Sequence, residues 1–116
     1  LLSALSKLSR QEFRFPSSAI SSYLCNGMEP MEVVQSLGLF GPLPTRVLTA
    51  KVALDDGPPS CPVTYVVLNR DRLLPADVQE RMANRIPGAE IVSMESCHEV
   101  MLYQPRELAG ILLRYA

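Results

Sequence analysis

The stretch "SMESCHEVMLYQP", Ser93 to Pro105, carries His98, the one histidine among 116 residues. An imidazole is the side chain best suited to move protons near neutral pH, and a carboxylate that accepts its Nδ1–H fixes the tautomer and stabilises the imidazolium. Three carboxylates compete for that role. Asp71 stands in "NRDRLLP", whereas Glu95 and Glu99 share the histidine's own loop, where geometry restricts the pairing less. Spacing alone leaves the plainer readings open: an aspartate in such a loop forms turns or caps helices, and a lone histidine often sits half-exposed. Cys97, next to His98, is a poor nucleophile for it, because neighbours on an extended segment point to opposite sides.

What could bring Asp71 and His98 together is the order of the elements around them. "VTYVVL", Val63 to Leu68, is β-branched, aromatic and almost continuously apolar, the signature of a strand buried on both faces in a parallel sheet. After the aspartate loop, a helix is predicted from about Pro75. Val78, Met82 and Ile86 would form its inner face, with Gln79, Glu80 and Arg81 outside, and Pro87-Gly88 would end it. "AEIVSM" reads as a second strand. Beyond the histidine loop, Pro105 opens a final helix with Leu108, Ile111, Leu112 and Tyr115 as its buried stripe. This βαβα order predicts parallel strands with a right-handed crossover. Both loops would then lie beyond the carboxyl ends of the strands, where active groups collect in such sheets. A near-continuous apolar strand also asks for a neighbour on its other edge, so a larger doubly wound sheet is expected.

The first half is helical and punctuated. Leu1, Leu2, Leu5 and Leu8 fall at helical spacing. Pro16 suits the first turn of a helix that reaches Leu24 and is stopped by Asn26-Gly27. A second helix starts at Pro30, turns Met31, Val34 and Leu37 inward, and ends at Gly38. "TRVLTAKVAL", Thr45 to Leu54, reads as weakly extended, and "DDGPPSCP" as a turn. The apolar residues Phe13, Phe15, Tyr23, Leu24, Met28, Met31, Leu39 and Phe40 could floor a hydrophobic pocket or simply pack a helical lid. Tyr23, Leu24, Met28, Leu39 and Phe40 are the substrate-pocket candidates.

Composition narrows the partners. Net charge is −1 from 11 basic and 12 acidic residues spread along the chain, so no basic stripe nominates nucleic acid. No apolar run approaches the ~20 residues that span a bilayer, and "LLSALSKLSR" is too short an apolar run for a signal peptide. Cys25, Cys61 and Cys97 are odd in number and widely spaced, with no CxxC pair, which suits reduced thiols in a cytoplasmic protein and no metal site. The chain starts without Met, and is read as processed or as a piece of a longer protein.

"CPVTYVVLNRDRLLPADVQERMA" followed by "PGAEIVSMESCHEVMLYQPRELAGILL" resembles the C-terminal end of an α/β-hydrolase, in the branch that holds methyl-ester esterases and hydroxynitrile lyases. The family's P-x-x-Y, RDxxxP, Q-x-x-M and HxxxLxxP motifs and its "LA..L" helix are all present, with His98, Leu102 and Pro105 supplying the fourth. The resemblance implies that residues 1–50 are a helical cap and 51–116 the βαβα end of the hydrolase core. It implies that Asp71 is the acid and His98 the base of a Ser-His-Asp triad, acting on a small-molecule ester without metal or organic cofactor. No two of the six glycines bracket a serine as G-x-S-x-G, and no "HG" oxyanion loop is present. The nucleophile and oxyanion hole are therefore expected upstream, in the rest of the same fold. The alternative is a truncated, non-catalytic module that completes another chain's sheet.

Overall fold

The computed structural model describes residues 12–51, 57 and 60–115. The predicted helix at Leu1–Leu8, the residues 52–54 and half of the "DDGPPSCP" turn lie outside the described residues.

The chain opens with a two-residue strand, β1 (Glu12–Phe13), that pairs antiparallel with β2 (Leu43–Pro44) and encloses two helical pieces. The first, α1 (Ser17–Ala19), continues without a break into a π turn, Ile20–Leu24, closed by the Cys25 N–H donating to the Ile20 carbonyl at 2.9 Å. The second, α2 (Pro30–Leu37), has proline at its first turn, and the Glu29 N–H donates to the Glu32 carboxylate at 2.8 Å. Ile20, Leu24 and Cys25 are buried between them, with Phe15, Met28, Val33, Leu37 and Phe40 packed around. The inner face of α2 differs from the expected one. Met31 and Val34 are mostly exposed, while Val33, Ser36 and Leu37 turn inward. Ser36 is small enough to let the helix close on the π turn, so its row of residues wins over the bulkier one.

Thr45–Thr49 is a short helix, α3, and not extended. β-propensity acts through cross-strand packing, and this segment belongs to neither two-stranded sheet among the described residues. Pro44 opens the turn, and the Ala50 N–H closes it on the Arg46 carbonyl at 2.8 Å.

The second half is a mixed helix–strand unit of α/β type around a parallel pair. β3 (Thr64–Leu68) pairs in parallel with β4 (Glu90–Met94), from Thr64 opposite Glu90 to Leu68 opposite Met94. Between them runs α4 (Ala76–Ala83), packed on β3 and followed by a turn in which Gly88 takes φ +73°, a conformation glycine enters without strain. On one sheet face Leu68, Met94, Val100 and Ile111 form a core with Val66, Val92 and Leu108 against it. Alternation sends Val67 to the other face, where it is fully buried. Two short helices close the unit, α5 (Val100–Tyr103) and α6 (Pro105–Leu112).

Burial departs from the expected pattern in three places. The start of β3, Thr64 to Val66, is only half-buried; Val67 and Leu68 alone are enclosed. On α4, Gln79 and Ala83 face inward while Met82 is exposed, because the Gln79 amide is used by the end of β3. On α6, only Leu108 and Ile111 face the core. Leu112 stays exposed, and Tyr115 lies in a 3-10 turn, Leu113–Tyr115, whose tighter winding swings it out to donate to Glu90 at 2.8 Å. Among the described residues no helix is long and apolar enough to cross a membrane.

Candidate functional site

The β3–β4 ladder does not stop at the strand ends. The Asn69 N–H donates to the Met94 carbonyl at 2.9 Å and the Arg70 N–H to the Ser96 carbonyl at 3.1 Å. These bonds draw the loop after β3 against the loop after β4, at the carboxyl end of the pair. Asp71 and His98, 27 residues apart in sequence, meet there: His98 Nδ1 lies 2.8 Å from Asp71 Oδ2.

The surroundings of the two partners differ. The Asp71 side chain is 2% exposed and the His98 side chain 34%. Asp71 Oδ1 accepts the N–H groups of Leu73 and Leu74 at 2.8 and 2.9 Å, which leaves Oδ2 for His98, with Gln79 Nε2 further off at 3.4 Å. These contacts are with backbone and amide N–H groups and a ring nitrogen, so the buried carboxyl is satisfied by hydrogen bonds. With Oδ2 as acceptor, Nδ1 carries the ring proton and Nε2 keeps its lone pair. The arrangement can orient an imidazole and stabilise its charged form.

Of the competing carboxylates, Glu95 is engaged elsewhere. Glu95 accepts from Asn69 at 2.6 Å and from the Arg70 guanidinium at 3.1 Å, a strap between the two loops. The Asn69 hydrogen bond and then Arg70 hold its carboxyl below the ordinary glutamate range. Because the folded chain holds Glu95 ionised more readily than the unfolded one, the strap contributes fully above pH 4.5 and is lost as pH falls through the lowered value. Glu95→Gln should therefore lower stability slightly above that pH and converge with the native protein as pH falls through the lowered value, measured by urea titration at several pH values.

The Glu99 N–H donates to the Leu24 carbonyl at 3.2 Å, and Asn26 Nδ2 donates to the Arg70 carbonyl at 2.8 Å. The end of the π turn is thus tied to both loops. Gly27, with φ +90°, turns the chain away beside Tyr103. A cleft of about 450 Å³ opens here, lined by Asn26, Gly27, Asn69, Arg70, Asp71, Arg72 and Tyr103. Cys97 is fully buried, and burial raises its thiol further from ionisation. Burial raises Cys25 as well, with Glu99 adding to the effect. Neither is poised as a thiolate.

None of the five pocket candidates lines this cleft. Leu24, Met28 and Phe40 belong to the helical core around the π turn, and Tyr23 and Leu39 are exposed. Phe40 also borders a separate recess of about 200 Å³ with Phe15, Ile20 and Leu37. Gln79, Asn26 and Tyr103 do not stand out as site residues in the sequence. Gln79 alone carries a signal there, as the glutamine of the Q-x-x-M pattern.

Over 96 residues, the chain is 29% identical to the Arabidopsis thaliana protein named "Putative methylesterase 19". The match takes in 81% of this chain and 37% of that protein, so the chain spans little more than a third of the relative's length. The likeness is distant, and it points to an esterase-like relationship. No family model matches the chain.

Proposed function

We propose that the chain is the C-terminal part of a serine hydrolase of the α/β-hydrolase fold, acting on small carboxylic esters. The observation that carries this reading is the 2.8 Å contact between His98 Nδ1 and a buried Asp71 beyond the carboxyl ends of two parallel strands. The similarity to a protein named a methylesterase supports it and suggests methyl esters as substrates.

In this reading residues 1–50 are the cap and 51–116 the end of the core, and a serine from the upstream part of the same fold attacks the ester carbonyl. His98 Nε2 takes the serine proton and returns it to the departing alcohol. Water then attacks the acyl carbon as His98 takes its proton, and His98 returns that proton to the serine oxygen as the acyl–serine bond breaks. Asp71 holds Nδ1–H throughout and stabilises the imidazolium, and no metal or organic cofactor enters these steps. The protein works in the cytoplasm on a small molecule, without nucleic acid or membrane. A second reading rests on the lack of a G-x-S-x-G serine within these 116 residues: a non-catalytic module whose β3 edge completes another chain's sheet.

The deciding experiment uses the full-length protein with short-chain methyl esters and a fluorophosphonate probe. Ester turnover with one serine labelled per molecule is the expected result. A folded protein that neither turns over esters nor takes the label would establish the second reading.

A further inference from the structure

We infer that Gln79 is a positioning residue, whose side-chain amide clamps both ends of the loop that presents Asp71 to His98. This inference rests on the reading of Asp71 and His98 as orienter and base.

Gln79 is 3% exposed, although Asp77, Glu80 and Arg81 around it on the helix face solvent. Its Oε1 accepts the Leu68 N–H at 3.0 Å, and its Nε2 faces the Leu68 carbonyl at 3.1 Å, the Leu74 carbonyl at 2.7 Å and Asp71 Oδ2 at 3.4 Å. Only this orientation of the amide satisfies all four partners. Reversed, an oxygen would face two carbonyls and a carboxylate. Two N–H hydrogens serve three acceptors, and the contact to Asp71 is the longest, so the firm grip is on backbone. Leu68 is the last residue of β3, and Leu74 closes the loop before Pro75. One side chain therefore holds the loop where it leaves the sheet and where it turns into α4.

The loop in turn dictates the carboxylate. Asp71 Oδ1 is bonded to the N–H groups of Leu73 and Leu74, so its plane follows the backbone of that turn. With both ends of the loop clamped, Oδ2 has one place to be, 2.8 Å from His98 Nδ1. An apolar residue at position 79 could fill the space but could not hold the loop ends. Tautomer control at His98 should therefore depend on an amide one α4 turn away that never touches the ring.

The test reads the tautomer itself by 15N–1H NMR of the His98 ring in the full-length protein, assigned by loss of its signals in His98→Asn. In the native protein the neutral ring should be the Nδ1–H form, with a strongly deshielded Nδ1–H proton, and Asp71→Leu should abolish both. In Gln79→Met, of nearly equal volume, the Nδ1–H fraction should fall at least about twofold, while the β3–β4 amides other than that of Leu68 keep their protection. A full Nδ1–H population in that variant would overturn the inference and leave Gln79 with packing alone. If the native ring already carries its proton on Nε2, the reading of the Asp71–His98 pair fails first. Should Gln79→Met not fold, Gln79→Asn retains the amide but withdraws it by one methylene. Loss of the Nδ1–H form in that variant supports the clamp, and its full retention overturns it.

Discussion

Replacing His98 with alanine in the full-length protein should lower turnover of short methyl esters by about 10⁴-fold or more, with KM shifted only slightly. The size follows from what the imidazole does. Without a base at Nε2 a serine hydroxyl is a weak nucleophile, and the departing alcohol has no proton donor, so both halves of the reaction slow. A loss of that order is about 5.5 kcal/mol of transition-state stabilisation, more than binding contacts at a half-exposed ring could supply. The fold should survive, because His98 lies on the rim and outside the Leu68–Met94–Val100–Ile111 core. Steady-state kinetics with a parallel thermal melt checks both halves of the expectation. A variant that keeps its rate would remove His98 from the chemistry, and with it the assignment of Asp71.

The parts of this arrangement that are legible in the sequence are those set by strong local patterns. Val63 to Leu68 announces a strand by its β-branched run, and the βαβα order by itself places the Asp71 and His98 loops at one end of a parallel pair. What the pattern cannot give is anything decided by long-range polar contacts. Gln79 is followed by Glu80 and Arg81 and reads as solvent-facing with them, yet its amide completes the backbone at the end of β3. The bond from Asn26 to the Arg70 carbonyl joins residues 44 apart, and no local signal at an Asn-Gly turn announces it. Thr45 to Thr49 departs from expectation for the opposite reason: its weak strand preference needed a neighbouring strand to express it. The pocket candidates are apolar residues of the helical first half, and that same character draws Leu24, Met28 and Phe40 into its own core.

The result is a division of labour within the chain. The apolar pattern builds the platform, and a handful of polar side chains sets the angles on it. Asn69, Arg70 and Glu95 strap the two rim loops together, Asn26 ties the π turn to one of them, and Gln79 holds the other end of the Asp71 turn. Exposed pairs such as Arg70–Glu95 add little stability individually. Under the proposed mechanism their use is geometric, because an imidazole misplaced by about 1 Å costs far more in rate than such a pair contributes to folding.

That geometry makes Asp71→Asn the sharper test of mechanism. Asparagine keeps the size of the side chain but replaces one acceptor oxygen with an NH₂ donor. The Leu73 and Leu74 N–H groups require an acceptor on their side, so the remaining oxygen will face them and the NH₂ will face His98. Nδ1 must then accept instead of donate, and the ring proton moves to Nε2, the atom that has to be free to take a proton from serine. Because the turn keeps both of its backbone bonds, stability should fall only by about 1–3 kcal/mol. Turnover, in contrast, should fall by about 10³–10⁴-fold with KM little changed, the signature of a correctly folded site holding the wrong tautomer. Raising the pH should not restore the rate, since the defect is the location of a proton and not its number. Near-native turnover in Asp71→Asn would mean that His98 is oriented by some group other than Asp71, despite the 2.8 Å between them.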